Sequence, residues 1–80
     1  MKDWYVYILE CSDGTFYTGV TDDIYKRLSA HNSGKGAKYT SGRAPQIIKY
    51  SEKVNGRSAA QIREAEIKKM TRQAKEKLFC

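Results

Sequence analysis

The chain opens with two short segments rich in aromatic and β-branched residues. Trp4–Cys11 (WYVYILEC) and Thr15–Thr21 (TFYTGVT) both have the composition that favours β-strands. Between them, Ser12-Asp13-Gly14 consists of residues that favour a tight turn. The two segments are therefore predicted to form a β-hairpin.

The length of the hairpin loop decides which side chains share a face of the sheet, because successive strand residues alternate between faces. A two-residue loop would pair Glu10 with Tyr17 and would point Tyr7 and Tyr17 to opposite faces. A three-residue loop with Gly14 left-handed would pair Tyr7 with Gly19 and would bring the two tyrosines together. We predict the second register, because it also collects a clean apolar face. That face would contain Trp4, Val6, Ile8, Phe16 and Val20.

A polar segment with helical spacing follows the hairpin. Asp22 or Asp23 can cap a helix over about Asp23–Asn32. Within this helix, Arg27 and His31 are four residues apart and therefore lie on one stripe. This stripe is a candidate functional surface, although a helix-surface arginine and histidine are also compatible with the pattern.

The second half of the chain predicts one strand and two helices. Gln46–Val54 (QIIKYSEKV) is a third strand. Ser58 and Gln61 fit a capping box that opens a helix, and Thr71 can cap a last short helix through Leu78. The order ββαβαα, with the first strands joined by a tight turn, predicts an α+β fold in which helices pack on an antiparallel or mixed sheet.

Length and composition limit the class of protein. Eighty residues, 40% of them hydrophobic and 30% charged, predict a single globular domain spanning residues 1–80. The apolar runs are far shorter than a membrane span, and no signal peptide is evident, so we expect a cytoplasmic protein without a membrane partner. Two cysteines and one histidine argue against a disulfide framework and against a zinc site.

The distribution of charge indicates a polyanionic partner. Residues 1–24 carry a net charge of −4, whereas residues 25–80 carry +10. A basic bias of this kind suits nucleic acid. The Gly/Ser-rich segment 33–45 is long for so small a domain, which favours function or disorder. Its basic residues Lys35, Lys38 and Arg43 are either nucleic-acid backbone contacts or part of a solvated loop.

Two tyrosine triplets, together with the helices, carry a family resemblance. Tyr5-Val6-Tyr7, ten residues before Tyr17-Thr18-Gly19, resembles the paired motif of the GIY-YIG nuclease superfamily. The helix with Arg27 and His31 follows, and then a helix with the pattern Ala-x-x-x-Glu-x-x-Ile-Lys around Glu64. The chain resembles most closely the small bacterial group called UPF0213, which is similar to the nuclease domain of Slx-type structure-specific endonucleases. The resemblance covers nearly the whole chain.

The resemblance implies a three-stranded antiparallel sheet flanked by helices and a metal-dependent hydrolysis of phosphodiesters. Glu64 would hold one divalent ion, Mg²⁺ or Mn²⁺, with waters in the other positions. Arg27 would stabilise charge that develops on the phosphate oxygens. Tyr7 or Tyr17 would position or deprotonate the attacking water, and His31 would assist proton transfer or orient a tyrosine.

The choice of the carboxylate that holds the metal ion depends on the family resemblance. On a helical wheel drawn at about 100° per residue, Glu66 lies near the middle of the predicted apolar arc, and Glu64 lies at the edge of that arc. That arc consists of Ala59, Ile62, Ile67 and Met70. The family pattern of an alanine four before and an isoleucine three after the ligand fits Glu64. We therefore assign Glu64 and expect Glu66 to make a buried hydrogen bond or salt bridge.

These observations predict a DNA endonuclease that is shape-selective or weakly specific. Its specificity would come from the shape of the DNA or from a protein partner. One alternative is a nucleic-acid-binding module on the same scaffold with little or no cleavage. Another is a protein-interaction domain that uses its tyrosine face, since Tyr7 and Tyr17 also fit a purely structural packing across the sheet.

Overall fold

The computed structural model of the chain describes residues 3–32 and 47–79, and these residues form three strands and three helices. The elements are β1 (Asp3–Glu10), β2 (Phe16–Thr21), α1 (Ile24–Asn32), β3 (Ile47–Asn55), α2 (Arg57–Lys68) and α3 (Arg72–Glu76). Their order confirms the predicted α+β fold. None of the helices in the described residues is long and apolar enough to cross a membrane.

The strands form one antiparallel sheet in the order β2-β1-β3. Tyr7 of β1 lies opposite Gly19 of β2, so the register predicted for a three-residue hairpin loop is confirmed. Gly14 adopts a φ of 85°, which residues with a side chain rarely adopt. The backbone N–H of Cys11 donates to the carbonyl of Thr15 at 2.8 Å and closes the loop.

The core lies between one face of this sheet and the two C-terminal helices. Val6 and Ile8 of β1 pack with Ala60 and Ile67 of α2, and all four are fully buried. The partly buried residues around them are Trp4, Phe16, Val20, Tyr50, Val54, Met70, Leu78 and Phe79. The predicted apolar face of the hairpin is therefore confirmed, and the tyrosine face is turned away from this core.

The predicted orientation of α2 was partly wrong. Ile62 is 65% exposed and Ala59 is also exposed, whereas Ala60 and Ile67 carry the contact with the sheet. The inward stripe includes Arg63, whose charge is compensated by Glu52 of β3 at 3.0 Å. A wheel that counts only apolar side chains places the buried arc incorrectly when a paired charge lies within it.

Two of the three helix caps predicted from the sequence are present in the structure. Asp23 caps α1, accepting from the Lys26 backbone N–H at 3.1 Å, and Thr71 caps α3 through the Ala74 N–H at 3.1 Å. The capping box at Ser58 was wrong, because α2 begins at Arg57, its N-cap is Gly56, and it has no side-chain cap. Gly56, which precedes α2 and has a φ of 101°, turns the chain directly from β3 into this helix.

Candidate active site

Two tyrosines of the hairpin meet on the sheet face opposite the core. Tyr7 is only 2% exposed, and its ring centroid lies 6.5 Å from that of Tyr17. A Cβ atom at Gly19 would lie 2.6 Å from the Tyr7 hydroxyl and 3.1 Å from a ring carbon of Tyr17. The missing side chain at Gly19 therefore lets the phenol of Tyr7 lie across β2.

Arg27 reaches this phenol from α1. Its side chain hydrogen-bonds with the Tyr7 hydroxyl. The Arg27 Nε atom is buried, and it has no hydrogen-bond partner among the residues that the structure describes. A guanidinium carries five N–H donors in a planar fork that matches phosphate oxygens. Arg27 thus offers a buried donor that an anionic ligand can satisfy.

The environment of Tyr7 keeps its hydroxyl protonated. Burial raises the pKa of Tyr7 above its ordinary value of 10.0, although the hydrogen bond from Arg27 lowers it. The neighbouring Tyr17 and Glu64 also raise this pKa. At neutral pH Tyr7 therefore presents a phenolic O–H that can donate, and not a phenolate that could take up a proton.

Glu64 of α2 is the carboxylate whose charge affects the Tyr7 hydroxyl. Its side chain is 22% exposed, against 58% for Glu66. The charge of Glu64 is felt at Tyr7, and Lys68 one turn later pairs with it at 3.3 Å. Glu66 instead pairs with Arg63 at 3.3 Å, so its expected salt bridge is present but exposed. Of the two carboxylates, Glu64 is the one whose charge raises the pKa of Tyr7.

A polar network fixes α2 against β3 next to this carboxylate. Arg63 Nε donates to Glu52 Oε1 at 3.0 Å, and the Tyr50 hydroxyl donates to the same oxygen at 2.7 Å. Because Arg63 precedes Glu64 directly, the network limits the rotation of the helix at the site. Sequence reasoning missed Glu52 and Arg63, which are 11 residues apart and belong to no local pattern.

The side chains of the site limit which divalent metal ion could bind there. Within the described residues, no three His, Cys, Asp or Glu side chains come together to hold one. The site offers one carboxylate, Glu64, whose charge acts on the Tyr7 phenol. Zinc usually requires three or four protein ligands, whereas Mg²⁺ keeps several waters and often binds through one or two carboxylates. The residues therefore fit a hard, largely hydrated ion.

The structure brings together four of the predicted site residues from β1, β2, α1 and α2. These are Tyr7, Tyr17, Arg27 and Glu64. His31 lies in α1, one helical turn after Arg27. Lys35, Lys38 and Arg43 lie outside the described residues, so their nucleic-acid contacts stay predictions.

Comparison with known proteins identifies the class to which this fold and site belong. Residues 3–77 match the family described as the GIY-YIG catalytic domain. The chain therefore belongs to the GIY-YIG family of nucleases. This places the tyrosine pair and its surrounding charges in a family that acts on nucleic acid.

Relatives of the chain include UPF0213 proteins. One from Halobacterium salinarum is 49% identical over 75 residues, which cover 94% of this chain and 97% of the relative. One from Streptococcus agalactiae is 56% identical over 71 residues, covering 89% and 81%. These similarities confirm the UPF0213 resemblance found in the sequence.

Two solved structures share the fold. The solution NMR structure of a UPF0213 protein from Bacillus halodurans is 46% identical, with a TM-score of 0.60 over 95% of this chain and 81% of that one. The solution NMR structure of a protein from E. faecalis is also 46% identical, with a TM-score of 0.65 over 98% and 84%. The α+β architecture is thus common to this chain and its relatives.

Proposed function

We propose that this chain hydrolyses phosphodiester bonds in DNA with the help of one divalent ion, as a shape-selective or weakly specific endonuclease. One observation carries the proposal. The Tyr7 phenol is influenced by both the guanidinium of Arg27 and the carboxylate of Glu64, although the three side chains come from three different elements. Hydrolysis of a phosphodiester can use these three groups: a hydroxyl that orients the water, a fixed cation that stabilises developing charge, and a carboxylate that holds a metal ion.

Arg27 binds the phosphate in this proposal. Negative charge grows on the non-bridging oxygens as water attacks, and a cation that is already in place stabilises that charge without reorganising. The buried Nε–H of Arg27, without a partner in the described residues, is a donor suited to this role. The net charge of +6 supplies the long-range attraction for a polyanion.

The two tyrosines take different roles. Since burial raises the pKa of Tyr7, its hydroxyl donates a hydrogen bond that orients the water or a phosphate oxygen. Tyr7 does not take up the proton of the water at neutral pH. His31 is then the side chain assigned to that proton, and Tyr17 is assigned to positioning the water.

Glu64 is the residue that would hold the metal, Mg²⁺ or Mn²⁺. Such an ion, when bound, stabilises charge on the phosphate and on the leaving oxygen. The carboxylate is partly buried, and the ion pair with Lys68 balances its charge. Glu64 therefore has both the oxygen donors and the accessibility that a hydrated ion requires.

A cleavage assay tests the proposal. The wild type is incubated with single-stranded, flapped and branched DNA in Mg²⁺, in Mn²⁺ and in EDTA, and with RNA analogues of the same shapes. We expect cleavage of DNA that depends on the metal. Glu64→Gln, Arg27→Ala and Tyr17→Phe should each lower the rate by about a hundredfold or more. Glu66→Gln is the matched control, because it removes the same charge two residues away and leaves the site intact.

Binding without cleavage would change the conclusion. If the wild type binds DNA in EDTA and cuts none of the substrates with either metal, the nucleic-acid-binding module is the better description. If it fails to bind even at low salt, the tyrosine face is a protein-interaction surface. Equal cleavage by Glu64→Gln and Glu66→Gln would remove Glu64 from the mechanism.

A further inference from the structure

A second concave surface lies beside the tyrosine site. It is a pocket of about 480 Å³ lined by Tyr5 of β1, by Ile48 and Ser51 of β3, and by residues 22–25 at the start of α1. We call it the side pocket. None of its lining residues belongs to the group proposed for phosphodiester hydrolysis.

Residues that line the side pocket neighbour Tyr7 and Arg27 along the strands and at the start of α1. Tyr5 precedes Tyr7 by two residues, so both point to the same face, about 7 Å apart along β1. Ser51 lies directly opposite Tyr7 in the pairing of β1 with β3. The Asp23 carbonyl accepts the backbone N–H of Arg27 at 3.1 Å. A nucleotide next to the scissile phosphate is therefore within reach of the pocket.

The chemistry of the lining suits a base and not a phosphate. Tyr25 is 86% exposed, although it is a large aromatic side chain, and Tyr5 is half-buried. Flat aromatic rings of this kind stack on nucleobases whatever the base is. The exposed carboxylates of Asp22 and Asp23 stand at the same pocket and repel phosphate. Carboxylates also accept hydrogen bonds from the amino groups of base edges.

We propose that the side pocket binds an unpaired nucleobase next to the bond that is cut. The proposal rests on the proposed function for the position of that bond, and it adds the substrate class. A base in a continuous duplex is stacked and paired, and it must be extruded before it can enter a pocket. The side pocket therefore favours flaps, bulges and frayed ends over continuous duplex.

A binding experiment in EDTA tests the side pocket without any cleavage. The probe is a DNA duplex with one unpaired 2-aminopurine as a bulge, because the fluorescence of this base changes when it stacks. It is compared with the same bulge carrying an abasic residue. We expect the wild type to bind the base about five- to a hundredfold more tightly than the abasic probe, which corresponds to the stacking of one base.

Substitutions at Tyr25 separate stacking from general affinity. Tyr25→Ala should remove most of the preference for the base, and Tyr25→Phe should retain it, since the ring is kept. The exposure of Tyr25 means that neither change disturbs the core. Ile62→Ala is the control, because it removes a similarly exposed hydrophobic side chain from α2. It should leave the preference unchanged.

Three results would overturn the side-pocket proposal. They are equal affinity of the wild type for the base and the abasic probe, an unchanged preference in Tyr25→Ala, and no binding of either probe. Because the assay needs no metal and no cutting, a preference for the base supports the side pocket even where the cleavage assay is negative. Metal-dependent cleavage without any preference for the base supports the proposed function and removes the side pocket.

Discussion

Tyr7 and Gly19 face each other across β1 and β2, and the phenol of Tyr7 fills the space that a side chain at position 19 would take. Gly19 lies against the hydroxyl end of the Tyr7 ring, and this hydroxyl is the group that interacts with Arg27. A glycine in an edge strand thereby determines where the phenolic oxygen stands. The position of that oxygen is the geometric basis of the proposed chemistry.

Gly19→Ala should therefore damage activity more than stability. A Cβ atom 2.6 Å from the Tyr7 hydroxyl forces the ring to move. A displacement of about 1 Å at a reacting group can cost about a hundredfold in rate, so we expect a loss of that size in single-turnover cleavage. The free energy of unfolding, measured in urea, should fall by no more than about 2 kcal/mol.

Gly14→Ala provides the matched control for this glycine. Its φ of 85° makes alanine strained, and nothing lies within 4 Å of the added Cβ atom. It should cost about 1–2 kcal/mol of stability and leave the cleavage rate nearly unchanged. Full activity in Gly19→Ala would show that the position of the Tyr7 hydroxyl does not matter.

Arg27→Lys should fail to replace the guanidinium. Lysine keeps the positive charge but has no Nε–H and no planar fork, so it cannot bond Tyr7 and a phosphate in the same way. We expect cleavage to fall by about ten- to a hundredfold, with DNA affinity in EDTA nearly unchanged. Arg57→Lys, an exposed arginine at the start of α2, should have no such effect. If Arg27→Lys cleaved DNA at the wild-type rate, Arg27 would contribute only its positive charge and not the geometry of its guanidinium.

Stability should decline at alkaline pH through two tyrosines. Burial raises the pKa of Tyr7, and the hydrogen bond to Glu52 raises the pKa of Tyr50, both above the ordinary value of 10.0. Above about pH 10 the unfolded chain loses these protons first, so the free energy of unfolding falls as pH rises. Tyr7→Phe has no proton to lose there, and urea denaturation between about pH 8 and 11 should show a shallower decline. If the free energy of unfolding fell equally steeply with pH in Tyr7→Phe and in the wild type, the raised pKa of Tyr7 would be contradicted.

Two isoleucines of α2 should respond very differently to truncation. Ile67 is fully buried against Val6 and Ile8, whereas Ile62 is 65% exposed. Ile67→Ala should lower the free energy of unfolding by about 2–5 kcal/mol, because it opens a cavity in the core. Ile62→Ala should change it by about 0.5 kcal/mol or less. Equal costs in urea denaturation would show that α2 packs through a different face.

The features predicted correctly from the sequence depend on short-range chemistry. The turn at Gly14 and the alternation along two strands determine the hairpin register, and hence the meeting of Tyr7 and Tyr17. The cap at Asp23 likewise sets the start of α1, which carries Arg27. Each of these depends on residues that are close in sequence, so local propensity and periodicity are sufficient.

The features that were missed depend on partners far apart in the chain. The inward stripe of α2 includes the half-buried Arg63 because Glu52 of the preceding strand compensates its charge. No count of apolar residues reveals such a partner, and for this reason the wheel alone favoured Glu66 over Glu64. The choice of Glu64 needed the family pattern, and the side pocket required coordinates, since its lining comes from three separate elements.

The central position of β1 has a consequence for the order in which the molecule assembles. Its pairing with β2 closes only a tight turn, and hairpins of this kind form in about 1–10 μs. Its pairing with β3 joins Trp4 to Val54, so a much longer stretch of chain must be closed first, at a larger entropic cost. We therefore expect the phenolic rings to become neighbours early in folding and the carboxylate of Glu64, in the helix after β3, to join them late. A chain that opens between β1 and β3 would keep its aromatic pair and lose the residue proposed to bind metal.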